Sequence, residues 1–141
     1  MKPVMSIAEI EDFLDSDFPQ IHTDGRSFGI AGLEAGEITV TFDPGERHLR
    51  PGGTVSGPTL FTLADVAAYA AVLAHIGPVA LAVTTGLTIN FLRLPQPRRL
   101  TCRARILKLG KRLAVIEAAI FQDDPDELVA HATATYSIPP R

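Results

Sequence analysis

The chain has 141 residues, 46% hydrophobic and 21% charged, with a formal net charge of −3. Those proportions describe a single globular domain with enough apolar material for a real core, and they exclude a disordered chain. The mildly acidic balance argues against a nucleic-acid partner, because neutralising phosphates needs a basic surface.

The N-terminal run MKPVMSIAEIEDFLDSD lacks the cationic region, apolar core and cleavage site of a secretory signal. Within it Ser6 and Glu9 have the spacing of a capping box, and Ile7, Ile10, Phe13 and Leu14 follow at helical intervals. A short amphipathic helix is predicted there, ended by Phe18-Pro19, since the residue before proline is pushed out of helical geometry. This segment, 1–19, belongs to the same domain as the rest.

From Phe28 to Asp43 the period changes to that of strands. Ile38, Val40 and Phe42 alternate with Glu37, Thr39, Thr41 and Asp43, the pattern of a sheet with one wet face. Glu34-Ala35-Gly36 is the hairpin turn before it. A long helix is predicted from Thr59 to about Ile76, apolar nearly all round and stopped by Gly77-Pro78. Its apolar run, 60–76, is broken by Asp65 and falls short of the roughly 20 residues of a membrane span. A soluble cytoplasmic protein with no membrane partner is therefore expected.

Four strand-like segments follow. In the first, Leu81, Val83, Leu87, Ile89 and Phe91 share a face, with Thr84, Thr88 and Asn90 on the other. Leu100, Cys102, Ala104 and Ile106 oppose Thr101, Arg103 and Arg105 in the second. A third runs from Arg112 to Gln122, and the Asp123–Asp126 turn leads to a last strand alternating through Ala130, Ala132, Ala134 and Tyr136. Strands joined by short turns favour an antiparallel sheet, so the predicted class is α+β, five or six strands wrapped around the long helix. Whatever part of that helix the sheet leaves open is expected to be covered by a second subunit.

Two features carry chemistry. Asp65 sits on the apolar helix, with Phe61, Thr62, Ala68 and Tyr69 as its helical neighbours. A carboxylate in such surroundings costs free energy unless it is paired or put to use. The second is the glycine-rich stretch 52–57, which opens directly into the helix. Backbone N–H groups near Gly57 there form a ready site for an anion or oxyanion, aided by the helix dipole. An oxyanion donor together with a carboxylate two turns on are the parts of an acyl-transfer or ester-cleaving site.

GTVSG at 53–57 followed by LFTLADVA at 60–67 resembles the signature of the PaaI-like hotdog-fold acyl-CoA thioesterases, close to N-P-x-G-T-V-H-G-G-x-L-F-x-L-A-D-x-A. TINFLR at 88–93 resembles a later strand segment of that family. The likeness runs from about His48 to Tyr136. It implies a hotdog fold in which Asp65 is the catalytic carboxylate, as nucleophile or as base for water, and the Gly57 N–H polarises the thioester carbonyl. It implies an active site at the interface of a homodimer or dimer of dimers, where a hydroxyl of the neighbouring subunit helps; Thr84 matches that place.

Three positions depart from the pattern: Arg50 replaces its Asn, Ser56 its His, and Pro58 its second Gly. Pro58 donates no N–H but is well tolerated in a first helical turn. Ser56 can replace one hydrogen bond of the histidine. Arg50 can meet a carboxylate or phosphate of the ligand, or pair with Asp65 and quench it. With Asn90 these three are candidate substrate contacts, and Arg93, Lys111 and Arg112 are candidates for coenzyme A phosphates.

No cofactor is expected beyond the coenzyme A of the substrate itself. The four histidines, at 22, 48, 75 and 131, lack metal-ligand spacing, so no metal is expected. The leading expectation is hydrolysis of an acyl-CoA or related acyl thioester. The alternative is a non-catalytic hotdog domain that binds an acyl ligand. A hotdog dehydratase is disfavoured, because no histidine accompanies Asp65 in its motif.

Overall fold

The computed structural model describes residues 1–22 and 27–141. Ser6 and Glu9 form the capping box: the Glu9 N–H donates to Ser6 Oγ (3.1 Å) and the Ser6 N–H to Glu9 Oε1 (2.9 Å). This cap starts helix α1, Ile7–Asp17, whose Ile10 and Leu14 are buried. Pro19 opens a short 3-10 turn, Pro19–Ile21, just beyond it.

The strands are β1 (Phe28–Glu34), β2 (Glu37–Phe42), β3 (Val83–Phe91), β4 (Leu100–Leu109), β5 (Leu113–Phe121) and β6 (Ala130–Ser137), with helix α2 (Gly57–Ile76) between β2 and β3. They form one antiparallel sheet in the order β1-β2-β4-β5-β6-β3. α2 begins two residues before the predicted start, because Ser56 caps it and Gly57-Pro58 enter its first turn. At its other end Gly77, at φ 101°, donates to Leu73 O and turns the chain out of the helix.

α2 lies across the inner face of the sheet. Ala114, Ala118, Ala130, Ala132 and Ala134 on β5 and β6 meet a helix rich in buried alanine, so strand and helix backbones approach closely. From Leu63 to His75 only Asp65 is not buried. α1 packs on part of the face that the sheet leaves open, and the N-terminal arm adds a Val4 N–H bonded to the Ala74 carbonyl (2.7 Å). Leu63 to Ala74 are thus enclosed within the chain apart from Asp65, and the face left for the expected second subunit is the start of the helix, where Pro58, Phe61 and Thr62 are exposed. Although α2 is long and apolar enough to cross a membrane, most of it is buried in this fold.

The two sheet edges differ. On β1 the Ile30 N–H is taken by Glu11 of α1 (3.3 Å). β3 pairs only with β6, and its other edge is open among the described residues. Around that open edge Leu81, Val83, Phe91, Leu92 and Leu94 are all more than half exposed or close to it, as is Phe61 of α2 to a lesser degree.

Candidate active site

β3 does not keep strict alternation. Its register against β6 shifts between Thr84 and Gly86, so Thr85 is an extra residue in the ladder. Leu87 and Ile89 oppose the buried Ala134 and Ala132, while Thr84 opposes the buried Tyr136. The bulge therefore turns Thr84 to the inner face, away from Thr88 and Asn90 with which a period of two groups it.

That turn completes a cluster at Asp65. Thr84 Oγ1 donates to Asp65 Oδ1 at 2.6 Å, and the Tyr136 hydroxyl donates to the same oxygen at 2.7 Å. The Tyr136 hydroxyl also lies 3.0 Å from the Asp65 carbonyl oxygen. Among the described residues Asp65 Oδ2 accepts no hydrogen bond. Burial, and after it the charge of Asp65, raises the Tyr136 phenol far above its ordinary pKa, so it stays a protonated donor. Thr84 reaches Asp65 from the same chain, so the contact ascribed to a neighbouring subunit needs no second copy.

Beside this carboxylate is a cavity of about 560 Å³, bounded by the end of α1, α2 and the start of β3. Phe18, Ile21, Phe61, Val66, Tyr69 and Val83 make its walls largely apolar, with Asp65, Thr84 and Tyr136 on one side and Asp17 on another. Tyr69 is fixed by donating to Ala80 O (3.0 Å), by an edge contact from Phe18 and by stacking on Tyr136 at 6.1 Å.

The start of α2 has few donors left. Thr59 and Leu60 donate to Ser56 O, the Ser56 hydroxyl caps Thr59, and Pro58 has no N–H. Among the described residues the Gly57 N–H has no acceptor, which makes it the one free donor of the first turn. It opens on a shallow groove of Gly57, Pro58, Phe61, Thr62, Ile89 and Phe91. A Cβ at Gly57 would lie 3.3 Å from Phe91 Cζ, so the ring crowds this residue. Gly57 and Asp65 are eight residues apart, about 12 Å along the helix. They do not line one cavity within one chain.

The other sequence candidates divide. Ser56 is a helix cap. Arg50 is at an exposed turn, bonded through its backbone to Thr54, and its guanidinium is not among the partners of Asp65. Asn90 is on the outer face opposite His131, away from Asp65. Arg93 donates to Leu128 O (2.8 Å), and Arg112 Nε to Ile138 O (3.2 Å), so each braces a strand end. Lys111 is exposed in the β4–β5 turn, at the Thr84 end of the sheet, whereas Arg93 is at the opposite end. His48 Nδ1 accepts the Gly45 N–H (2.8 Å) and its ring meets the Phe42 edge.

Sequence reasoning missed Tyr136. The signal was present: a tyrosine on the buried face of a strand otherwise built from alanine needs a partner for its hydroxyl. Among the described residues no three His, Cys, Asp or Glu side chains come together as a metal site.

A sheet of this order curled around one enclosed helix is the hotdog fold. The family model of the Thioesterase superfamily matches residues 52–129, more than half of the chain, and the chain belongs to that family in its PaaI-like form. A solved putative thioesterase from Silicibacter sp. TM1040 is 49% identical, with a TM-score of 0.89 over 99% of this chain and 96% of that one. A mutant of the phenylacetic acid degradation protein PaaI from Thermus thermophilus is 27% identical, with a TM-score of 0.70 over 80% and 94%. A hypothetical thioesterase from Streptococcus pneumoniae solved with coenzyme A shares the fold at 23% identity, with a TM-score of 0.76 over 94% and 98%. The putative esterase PA0474 of Pseudomonas aeruginosa is 32% identical over 73% of this chain and 76% of its own.

Proposed function

We propose that this protein hydrolyses an acyl-CoA or a related acyl thioester to the free acid and the thiol, in the cytoplasm. The observation that carries the reading is Asp65, whose carboxyl group has one oxygen doubly hydrogen-bonded and the other without a donor among the described residues, beside an apolar cavity. The coenzyme A bound to the Streptococcus pneumoniae relative supports the thiol half of the substrate.

In the reaction, the oxygen of water adds to the thioester carbonyl carbon and the carbon–sulfur bond breaks. The acid takes the water's hydroxyl and the thiolate, a good leaving group, takes its proton. Asp65 Oδ2 serves either as the base that removes the water's proton or as the first nucleophile, with water then cleaving the acyl-carboxylate. The apolar walls receive the acyl group and exclude bulk water. The free N–H of Gly57 polarises the carbonyl oxygen.

Since that N–H is about 12 Å from Asp65 on its own helix, the complete site takes Gly57 from a second copy. Two β3 edges paired antiparallel about the midpoint of 84 and 91 place the Phe91 end of one copy beside the Thr84 end of the other. Phe91 touches Gly57, so the donor and the carboxylate then meet, and the exposed side chains around β3 are covered.

Purified protein should release thiol from at least one member of a panel of short, long and aromatic acyl-CoA thioesters. Asp65→Asn should lose about 100-fold or more of kcat while keeping its fold by circular dichroism. No turnover across the panel would reject the hydrolase. One observation favours an acyl-ligand-binding domain instead: Pro58 leaves the helix start a single donor. Thermal stabilisation by a ligand that is never cleaved would identify that case.

A further inference from the structure

We propose that Tyr136 is a positioning residue, which together with Thr84 fixes Asp65 so that Oδ2 alone faces the thioester. The inference rests on the hydrolase reading and adds to it which carboxylate oxygen reacts and what selects it.

The terminal torsion of an aspartate is soft and roughly two-fold, so an unrestrained carboxylate presents either oxygen. Here both donors converge on Oδ1, at 2.6 Å from Thr84 and 2.7 Å from Tyr136. They arrive from β3 and β6, neighbouring strands whose facing residues are these two. The donors are themselves held. Tyr136 is 2% exposed and stacked on Tyr69 with ring planes 21° apart. Tyr69 is in turn tied to the Ala80 carbonyl. The Tyr136 hydroxyl also reaches the Asp65 carbonyl oxygen (3.0 Å), so the same group registers the carboxylate against the backbone that carries it.

A purely structural account is that a buried phenol has found an acceptor. It does not require the acceptor to be the carboxylate oxygen that Thr84 already holds, nor the other oxygen to be left without a donor beside the cavity. The acceptors within reach of both hydroxyls are the oxygens of Asp65, so the proposal gives neither residue the task of protonating the departing thiolate. Their effect runs through Asp65 alone.

Tyr136→Phe removes the hydroxyl and keeps the ring and its stack. With a thioester that the wild type cleaves, kcat should fall about 10- to 100-fold, the worth of a hydrogen bond to a charged group, and KM should stay within about threefold. A crystal structure of this variant should show the Asp65 carboxylate rotated from its wild-type orientation. If wild type turns over, Asp65→Asn is inactive and Tyr136→Phe keeps full kcat, the positioning role is overturned and the hydrolase stands. If the wild type cleaves nothing, the hydrolase reading falls, and an unrotated carboxylate in the variant crystal overturns the positioning as well.

Discussion

Cys102 shows how burial alone settles a side chain's chemistry. It is fully enclosed on the inner face of β4, and burial pushes its thiol up to about 12. A maleimide should therefore leave the native protein unlabelled and react at one site per chain once it is unfolded, as read by mass spectrometry. Asp65 shows the contrary case on the next layer of the same core. Its carboxylate is only half-buried and borders a cavity, where a charge can be held by donors and still be reached. Arg50, a possible quenching partner by charge, is kept out of contact by the exposed turn that carries it.

At the scale of elements, α1 depends on its cap. Ser6→Ala removes the acceptor for the Glu9 N–H and should cost about 1 kcal/mol of stability in a urea titration. The hydrogen bonds from Ser6 hold the Glu9 carboxyl below its ordinary pKa. A lowered folded value means the contribution is complete above the unfolded carboxylate range and is lost as pH falls through the folded value. The protection of the first-turn amides of α1 against exchange should thus weaken on acidification below about pH 4. Glu9→Gln should abolish that dependence, whereas Ser6→Ala, which keeps the backbone N–H bond of residue 6 to Glu9, should only reduce it. The helix matters to function through its far end, where Asp17 and Phe18 close one side of the cavity. β3 is the other decisive element. One extra residue, Thr85, inverts the facing of everything before it, and that inversion delivers Thr84 to Asp65.

For the whole molecule the question is how many copies complete a site. β1 is guarded by Glu11, while β3 offers an open edge amid exposed leucine, valine and phenylalanine, the profile of a strand that pairs with another chain. The protein should sediment as a dimer or larger assembly at micromolar concentration, and a stable folded monomer would count against the shared site. Asp65→Asn and Gly57→Pro, which deletes the donor, should each be inactive alone. Co-expressed, they should recover about a quarter of wild-type activity, because half of randomly mixed dimers have one of two sites intact.

The sequence by itself determined the class of fold, because the type of each element, helix or strand, is written in its period even where a bulge hides the facing of one residue. The capping box, the alternation in β2 and β4, the all-round apolar α2 and the glycine that ends it are local patterns whose geometry follows from backbone sterics and hydrophobic burial. It also singled out Asp65 and Gly57, through the cost of a charge on an apolar helix and the free N–H groups of a helix start. Only the tertiary structure decided what those residues meet. Tyr136 lies 71 residues from Asp65 in the chain, and their pairing exists only because β6 and α2 pack together. A bulge is invisible to a strict period of two, so the facing of Thr84 was not legible. Nor was the placing of Asn90, Arg93 and Arg112, since charge and motif do not say which face or end of a sheet a side chain occupies.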